Sequence, residues 1–573
     1  MVAVAGIDQG EISRDAAGAG PMKGLMAKPA DEESSFAPFR DRAFAVLWVA
    51  TVVSNIGTWM QSAAASWLMT ELNPDALVVS LVQVAASLPM FLFALRAGAL
   101  ADIIDRRRLL IVIQAAVTVL VAAFGILVWR SSVTPDILLV FTFLSAAAAA
   151  LIMPAWQAIV PQLAPRQHLK SAVALNSIGL NVSRAIGPAL AGVIIAAWGM
   201  AAPFWMNAMT TLGVIAALVW WHPPGERTGR HLPPEQFYRA IGAGLRHARY
   251  NPRLRAALVR AVGFFLFASA YWALLPLVAR DQVGGGPSLY GILLGAIGAG
   301  AVGAAFALPR LTRVFGADRL VAVGTLGTAA AMMLFGLARQ PMTALVASLI
   351  AGMSWIVVLA TINVSAQVSL PGWVRGRGLS IYGTVMFGAL TLGSAVWGEV
   401  AALADIPEAL VIAAAGALTA IPLLWRWKLN IGADLDLAPS LHWPDPILSA
   451  EVDADRGPVL VTVEYQIKPA DRVPFLDAIA VLAAERRRDG AFDWDVFEDL
   501  SQQGHFVETF MLDSWIEHLR QHERVTHADR ELQDRVNRYQ ADGAPKVTHL
   551  IAASEGSAKR IGAISCGEHL TRG

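Results

Sequence analysis

The chain has 573 residues, of which 55% are hydrophobic and only 16% are charged. Soluble domains carry about 25% charged residues, so the composition excludes an ordinary soluble enzyme and a nucleic-acid-binding chain. The net charge of +1 conceals two parts of opposite sign. Residues before Asn430 hold 30 Lys and Arg against 19 Asp and Glu (+11), and the remainder holds 15 against 25 (−10). We therefore expect two chemically different regions in one chain.

Apolar segments recur between Ala43 and Trp427, and a membrane-spanning helix needs about 20 such residues. Twelve spans are predicted, at 43–71, 78–101, 109–129, 136–158, 171–197, 202–221, 261–280, 288–309, 318–338, 342–368, 378–403 and 407–427. A polar linker at 222–260 separates six spans from six. The sequence therefore predicts an all-α polytopic membrane protein whose transporter domain, 41–428, has two six-helix halves, 41–221 and 261–428.

Basic residues in the loops indicate the orientation. Eighteen Lys and Arg lie in one set of alternate loops, and only Arg130, Arg280 and Arg339 lie in the other. By the positive-inside rule we expect a multi-pass protein of the bacterial inner (plasma) membrane with both termini in the cytoplasm. Residues 1–40 lack the pattern of a cleaved signal peptide and are expected to form a disordered cytoplasmic tail.

The connection between spans two and three contains a candidate gate formed by Gly98, Asp102, Arg106 and Arg107. Glycine allows two helices to approach closely, and Asp102 can face a helix N-terminus and pair with an arginine. The alternative is that the arginines only set the orientation. The segment from Gly98 to Arg107 resembles the loop motif of the major facilitator superfamily, which implies a latch between the two halves on the cytoplasmic side.

Span five contains Gly187, Pro188 and Gly192, which resemble the Gly-Pro-x-x-Gly stretch of export-type members of that superfamily. Proline removes one helical hydrogen bond and glycine removes bulk, so we expect a kinked, closely packed helix. Small residues also pack many membrane helices without any directional role. Packing alone therefore stays open as the alternative.

Four further segments narrow the resemblance: 153–161, 174–177, 184–188 and 369–377. Together they are similar to the transmembrane secretion effectors, the branch that includes the enterobactin exporter, over roughly 36–428. This resemblance implies a proton-coupled secondary exporter of a small molecule (a siderophore, drug or metabolite) that works by alternating access. Expected partners are the substrate, protons and the lipid bilayer, with no nucleic acid, no cofactor and no metal. A phosphate-binding Gly-x-x-x-x-Gly-Lys-Ser/Thr loop is absent from the sequence, which argues against an ATP-driven pump.

Polar residues within the spans are candidates for a substrate cavity or for coupling. A charge at mid-bilayer costs about 2.5–3.5 kcal/mol on insertion scales, so Arg184 should face a cavity or a structural ion partner. Glu399 could carry a proton or could be hydrated near the outer interface. Uncharged amides facing lipid would lack partners. The candidates are Asn55, Asn181, Arg184, Asn363, Gln367 and Glu399.

The acidic C-terminal part follows a Pro-rich linker at 429–457. Strand patterns at 459–467, 492–497, 505–510 and 546–551 alternate with helical patterns at 471–488 and 513–539. The order β-α-β-β-α-β predicts a small ferredoxin-like α+β domain over 458–552, followed by a flexible tail at 553–573.

A segment at 513–524 resembles the antibiotic-biosynthesis-monooxygenase-like domain, which implies possible dimerisation through this region. His518 and His522 share a helix face, and His527 follows. They either bind a ligand or metal, or lie on a solvated amphipathic helix. No catalytic residue is identified, so we expect no enzyme, although the C-terminal domain stays open. The alternative function is a membrane-anchored enzyme or ligand sensor with its activity in that domain.

Overall fold

The computed structural model describes residues 36–103, 105–163, 165–222, 237–430, 436–440, 442–443, 453, 455–541 and 543–553. The predicted terminal tails and the first part of the central linker lie outside the described residues, except for 36–40 and 553. The helices of the first half are α1 Arg42–Leu72, α2 Ala76–Ile103, α3 Arg106–Trp129, α4 Pro135–Ile159, α5 Leu169–Trp198 and α6 Ala202–Trp220. They are followed by α7 Phe237–Tyr250, α8 Pro252–Leu277, α9 Pro287–Leu337, α10 Pro341–Val368, α11 Arg375–Leu403 and α12 Ile406–Leu423.

Eleven of these described helices are long and apolar enough to cross a membrane, and α9 accounts for the twelfth predicted span. Its 51 residues would extend for about 75 Å, more than twice the thickness of a bilayer core. The backbone at Gly316 leaves the helical conformation, with φ of +69°, which glycine adopts without steric cost. The segment therefore turns at Gly316 and supplies both predicted spans eight and nine.

Span seven begins earlier than the sequence predicts. Helix α8 starts at Pro252, where the Asn251 side chain accepts hydrogen bonds from the backbone N–H groups of Arg253 and Leu254. The preceding polar linker also contains a helix, α7. Helix α8 extends back into the predicted linker because the arginines of this segment, which the sequence pattern assigns to a loop, pack against the rest of the protein.

Arg260 shows how such a charge is accommodated, because its side chain is only 3% exposed. The guanidinium donates to Asp318 Oδ1 at 3.1 Å and to the carbonyl oxygen of Trp427 at 3.0 Å. Asp318 also accepts from the backbone N–H of Leu429 at 3.1 Å. The network joins α8, the second part of α9 and the segment after α12.

The two halves meet along two helix pairs, α2 with α11 and α5 with α9. We call the end of the bundle where α1, α3 and α11 begin the basic end, because Arg106, Arg107, Arg375 and Arg377 lie there. The other end is called the opposite end.

The C-terminal domain has the predicted α+β arrangement. Its elements are β1 Val459–Gln466, α13 Arg472–Arg488, β2 Phe492–Glu498, β3 His505–Leu512, α14 Trp515–Arg524, α15 His527–Asn537 and β4 Lys546–Ile551. The antiparallel sheet has the order β2-β3-β1-β4, which is the ferredoxin-like order. The predicted single helix at 513–539 is in fact two helices. Thr526 and Asp529 form a capping box that starts α15 and so ends the previous helix.

This domain is docked at the basic end of the bundle. Helix α13 packs against α7, and the Arg524 guanidinium lies 4.7 Å from the ring centroid of Trp373 in the α10–α11 loop. Linker residues 436–440 run beside the α14–α15 junction, where Ser440 donates its N–H to the Val525 carbonyl. The acidic region is therefore attached to the membrane region by contacts as well as by the chain.

Candidate functional site

At the opposite end, α5 and α9 are in contact through glycine. A Cβ atom on Gly291 would lie 2.7 Å from the carbonyl oxygen of Pro188, and one on Gly192 would lie 2.8 Å from the carbonyl oxygen of Pro287. Ser288 also donates its hydroxyl to the Gly192 carbonyl at 3.3 Å. Only hydrogen fits at these positions, so the halves close tightly here.

The other helix pair closes in the same way. Thr391 of α11 donates its hydroxyl to Ser87 Oγ of α2 at 2.8 Å. Nearer the opposite end, a side chain at Gly398 would collide with Ser80. Both helix pairs that join the halves are thus packed closely over their opposite-end portions.

Toward the basic end the same helix faces are exposed. On α5, Ile178 and Asn181 lie on the helix face that continues from the contact residues Pro188 and Gly192. Ile178 is 54% exposed, and Asn181 is exposed as well. On α9, Phe306 continues from the contact face and is 81% exposed. The α5 and α9 faces therefore separate toward the basic end, which indicates a central cleft that opens there.

Arg184 lies where the cleft begins. Its guanidinium carbon is 4.9 Å from the ring centroid of Trp59 on α1, a cation–π distance. Tyr271 of α8 lies close to the Arg184 side chain. The Nε–H is buried without a hydrogen-bond partner, and no carboxylate in the described residues forms an ion pair with this side chain. The alternative of a fixed structural ion pair therefore has no carboxylate partner in the described part of the chain, whereas that of a helix-carbonyl partner stays open.

An aromatic cluster of the second half faces Arg184 through Tyr271. Ring centroids are 5.4 Å apart for Tyr271 and Trp272, 5.4 Å for Trp272 and Trp355, and 6.2 Å for Tyr271 and Phe335. The Tyr271 hydroxyl and the indole N–H groups of Trp272 and Trp355 are buried without a well-formed hydrogen bond. Such donors normally have a partner, so the cluster offers hydrogen bonds to a ligand.

Sequence reasoning missed this cluster because its members come from three helices. The only local signal is on α8, where the pair Phe264 and Phe265 recurs seven residues later as Tyr271 and Trp272. Seven residues bring a helix back to nearly the same face. Trp355 and Phe335 are placed beside this face by folding alone.

Two predicted amides lie one turn from these groups. Asn55 precedes Trp59 by four residues on α1, and Asn181 precedes Arg184 by three on α5. Asn181 donates its amide to the Ser177 carbonyl at 2.8 Å. These two predicted residues and Arg184 form one group.

The other predicted candidates lie elsewhere. Gln367 donates to Asn363 Oδ1 near the basic end of α10, which places both away from Arg184. Glu399 is exposed near the opposite end of α11. Both alternatives for Glu399, a proton carrier and a hydrated carboxylate near the outer interface, stay predictions.

The structure gives a local role to two residues of the loop motif. Asp105 starts α3 by accepting the backbone N–H of Arg108 at 2.7 Å. Arg107 donates to the carbonyl oxygens of Leu218 and Val219, both at 2.7 Å, and so binds the end of α6 within its own half. Arg107 therefore braces one half in this conformation. For Gly98 and Asp102 the structure describes only a helical backbone, so the latch stays a prediction.

The small residues of span five serve close packing. Helix α5 continues through Pro188 from Leu169 to Trp198. A Cβ on Gly187 would lie 2.5 Å from the Trp59 Cβ and 2.8 Å from the Ile56 carbonyl oxygen. The predicted close approach therefore occurs on both sides, toward α1 at Gly187 and toward α9 at Gly192.

Two side-chain clusters in the C-terminal domain have a composition suited to metal ions. His518, His522 and His549 bring ring nitrogens within 4.8 Å of one another, and Glu485, Asp489 and Asp529 do the same with carboxylate oxygens. His527, the third histidine that the sequence suggested, is not part of the first cluster. Its place is taken by His549 of β4, which no local spacing connects to α14.

A third buried network in this domain is centred on Glu508. Glu508 accepts from the Tyr465 hydroxyl at 3.0 Å, the Trp494 indole at 2.9 Å and Arg486 Nε at 3.2 Å. Burial and the neighbouring Glu508 carboxylate raise the pKa of Tyr465 well above its ordinary value. These groups bond to one another in the domain core, which is the pattern of a structural network.

Comparison with known proteins identifies relatives. The chain is 28% identical to the multidrug efflux pump Tap of Mycolicibacterium fortuitum over 370 residues, which are 62% of this chain and 88% of that protein. It is 24% identical to the staphyloferrin A transporter of Staphylococcus aureus over 46% of this chain. It is also 24% identical to macrolide efflux protein A of Streptococcus pyogenes over 43% of this chain. These last two matches span 65% and 60% of the relatives' own lengths.

Solved transporters share the fold of the membrane region. The nucleoside transporter NupG is 10% identical, with a TM-score of 0.57 over 68% of this chain and 99% of that chain. A bacterial homologue of the human lysosomal transporter Spinster, inward-facing and unoccupied, is 13% identical, with a TM-score of 0.51 over 69% of this chain and 99% of that chain. The model of the transmembrane secretion effectors matches residues 33–557 and so includes the C-terminal sheet. The resemblance of that sheet to a monooxygenase-like domain stays a prediction. The chain is a membrane transporter of the transmembrane secretion effector family, within the major facilitator superfamily.

Proposed function

We propose that this protein is a proton-driven exporter that moves a small organic molecule across the bacterial inner membrane by alternating access. The observation that carries the proposal is Arg184, a cation in mid-bundle without a carboxylate partner among the described residues. An uncompensated charge at this depth is costly. A substrate that supplies the missing negative charge or hydrogen-bond acceptors removes that cost.

The surroundings of Arg184 favour an aromatic or conjugated molecule that carries an anionic or acceptor-rich group. Trp59 and Trp272 provide flat apolar surfaces. The Tyr271 hydroxyl and the Trp355 indole provide donors that form no well-formed hydrogen bond within the protein. Export is supported by the names of two relatives, a multidrug efflux pump and a macrolide efflux protein. A third relative is named a staphyloferrin A transporter.

Alternating access is supported by the uneven contact between the halves. Contacts such as Gly291 with Pro188 close the opposite end, whereas the faces bearing Ile178 and Phe306 are apart. A rocking motion that brings these faces together and separates the glycine contacts would expose Arg184 to the other side. The orientation that places the basic end in the cytoplasm follows the loop charges. We also propose that the Asp102 latch stabilises the second state, in which the halves come together at the basic end.

Everted membrane vesicles test the transport proposal with two aromatic probes of similar size. We expect an imposed proton gradient to drive accumulation of the anionic dye fluorescein more than tenfold above that of the cation ethidium. A protonophore should abolish this accumulation, and Arg184→Gln should reduce it to background. Equal handling of both dyes by the wild type and Arg184→Gln would contradict the assigned role of Arg184.

A comparison of culture media identifies the natural substrate. Cells that express the protein should release at least one anionic metabolite at higher concentration than cells that express Arg184→Gln. If neither metabolites nor dyes are moved, export itself is wrong. The single cysteine, Cys566, can first be replaced by serine for the labelling experiments described below.

Cross-linking tests the rocking motion directly. In a Cys566→Ser background, a disulfide between Ser87→Cys and Thr391→Cys would lock the opposite end, because the two hydroxyl oxygens are 2.8 Å apart. We expect oxidation to stop transport and reduction to restore it. The matched control joins Gln61→Cys to Asn207→Cys, which are hydrogen-bonded within one half. Oxidation of the control pair should leave transport intact.

A ligand sensor in the C-terminal domain is the second candidate function. The contact of Arg524 with Trp373 and the packing of α13 on α7 give the domain a physical connection to helices α8, α10 and α11. The names of the relatives describe transporters, so an enzyme with a twelve-span anchor is the less favoured alternative. Deletion of the domain, described in the Discussion, separates these possibilities.

A further inference from the structure

Three histidines from two elements meet in the C-terminal domain. His518 and His522 lie one turn apart on α14, and His549 lies on the edge strand β4. The ring centroid of His518 is 4.7 Å from that of His522 and 4.6 Å from that of His549. One nitrogen of each ring lies within 4.8 Å of the others. The histidines thus converge on a common point.

His518 is at the centre of this cluster and is not satisfied by the protein. Its side chain is 2% exposed, and neither ring nitrogen has a well-formed hydrogen bond. Buried polar groups are nearly always bonded, and an unbonded one destabilises the fold. Packing therefore does not explain why a histidine occupies this position, whereas a ligand that accepts the ring's electron pair does.

The other groups at the site suit coordination. Gln521, fully buried on the same helix, contacts the His518 ring through its side-chain amide, and neither amide atom forms a well-formed hydrogen bond. Such an amide can orient a coordinating imidazole or bind the ligand itself. Trp515 and Trp443 contact His518 and His522, with ring centroids at 5.1 and 5.0 Å, and limit access of water.

The acidic cluster in the same domain provides a contrast. Arg488 lies between two of its carboxylates and donates to Asp489 at 2.9 Å and to Asp529 at 2.8 Å. A resident guanidinium already supplies the positive charge there. The histidine cluster instead offers imidazole nitrogens, one from each ring.

We propose that His518, His522 and His549 bind one divalent transition-metal ion of the zinc class, with the fourth coordination position open to water, Gln521 or a small ligand. Three imidazoles suit zinc, and zinc–nitrogen bonds are about 2.0–2.1 Å long. Tetrahedral binding places the ligand nitrogens about 3.3 Å apart, so the rings must close by up to about 1.5 Å. Rotation of the half-buried His522 and His549 rings provides this closure.

The position of the site connects it to the membrane region. An ion held by α14 and β4 restrains the helix whose last turn places Arg524 over Trp373. Glu517 of the same helix accepts from Arg520 at 2.7 Å and from Arg524 at 3.0 Å and fixes the contacting side chain. Metal binding thus acts on the surface where the domain meets the transporter. The proposal does not depend on what the transporter exports.

The test uses the full-length protein purified in detergent and stripped with EDTA. We expect equilibrium dialysis against ZnCl₂ to give about one high-affinity zinc per chain and CoCl₂ to give the visible bands of four-coordinate cobalt. His518→Ala and the milder His549→Gln should each weaken zinc binding at least about a hundredfold and remove the cobalt bands. The matched control is His527→Ala, which removes a histidine of the next helix outside the cluster and should bind like the wild type.

Thermal unfolding makes the result decisive. Zinc should raise the melting temperature of the wild type and of His527→Ala and leave that of His549→Gln unchanged, with all three proteins folded without metal. The proposal is overturned if the wild type binds no stoichiometric zinc, or if His549→Gln and His527→Ala bind it equally. A misfolded His518→Ala would not affect the outcome, because His549→Gln tests the same site.

Discussion

Arg184 and Trp59 face each other across the first half, with the guanidinium carbon 4.9 Å from the centre of the indole ring. The ring holds the cation by its quadrupole but does not neutralise it. The arginine is therefore positioned while its charge stays available. The contact joins α5, which packs against the second half, to the neighbouring helix α1 at the level where the cleft begins.

Substitution of Arg184 tests this site. We expect Arg184→Gln to reduce transport at least tenfold, because the amide retains hydrogen bonding but loses the charge. Arg184→Lys should retain an intermediate rate, since a lysine keeps the charge without the planar fork. Transport in proteoliposomes and membrane insertion by fractionation are the measurements. Arg130→Gln, which alters an exposed arginine at the end of α3, is the control and should transport normally.

Closure of the opposite end depends on glycine in α9. Gly291→Val should prevent the contact with Pro188, because even a Cβ would be 2.7 Å from its carbonyl oxygen. We expect loss of transport and faster labelling of Asn55→Cys by a membrane-impermeant maleimide added at the opposite end. Gly303→Val is the matched control on the same helix, where no atom lies within 4 Å of the added Cβ. Equal labelling in the two variants would show that the contact does not gate access.

The loop motif gives a third prediction. Asp102→Asn keeps the size of the side chain and removes its charge, so it should impair export at least severalfold and leave insertion intact. Transport assays in proteoliposomes measure the effect. Asp105→Ser is the comparison, since serine can also cap α3, and it should export normally. Full activity of Asp102→Asn would rule out the latch.

The docking of the C-terminal domain should depend on pH through His247 of α7. This side chain is 1% exposed, and burial together with the Arg488 and Arg524 charges lowers its pKa to about 3, against the opposing effect of Asp529. The unfolded chain binds a proton near pH 6.5 that the folded chain does not bind. Stability is therefore fully present above about pH 6.5 and decreases as pH falls toward 3.

Thermal unfolding between pH 7.5 and 5 measures this effect. His247→Gln should flatten the acid side of the stability profile, because glutamine does not titrate. His222→Gln, which changes an exposed histidine at the end of the first half, should leave the profile unchanged. A profile that does not differ between the wild type and His247→Gln would exclude His247 as the source.

Removal of the C-terminal domain tests its role in transport. The structure places the boundary after Asn430, because the Leu429 N–H bonds to Asp318 and the Asn430 N–H bonds to Ser365 Oγ. A chain that ends at Asn430 should keep most of its transport, whereas one that ends at Lys428 should melt at a lower temperature. Complete loss of transport in the longer truncation would show that the domain is integral to the transporter.

Sequence alone predicted the features that depend on local composition. A run of 20 apolar residues can cross a bilayer whatever its neighbours are, so the spans follow from short stretches. The same holds for the ferredoxin-like order, whose strands and helices alternate with clear periods, and for His518 and His522, which one helical turn brings together. The charge partition at Asn430 likewise needs only counting.

Only the tertiary structure determined which residues distant in the chain lie close together. Arg184 and Tyr271 are 87 residues apart in the chain, and His549 reaches α14 by the pairing of β4 with β1. The start of α8 also depended on packing, since burial of Arg260 requires Asp318 and the end of α12. The free energy of inserting a span into a membrane or of forming a helix depends mainly on the local sequence. Contacts between distant residues depend on how those elements pack, which no short stretch of sequence encodes.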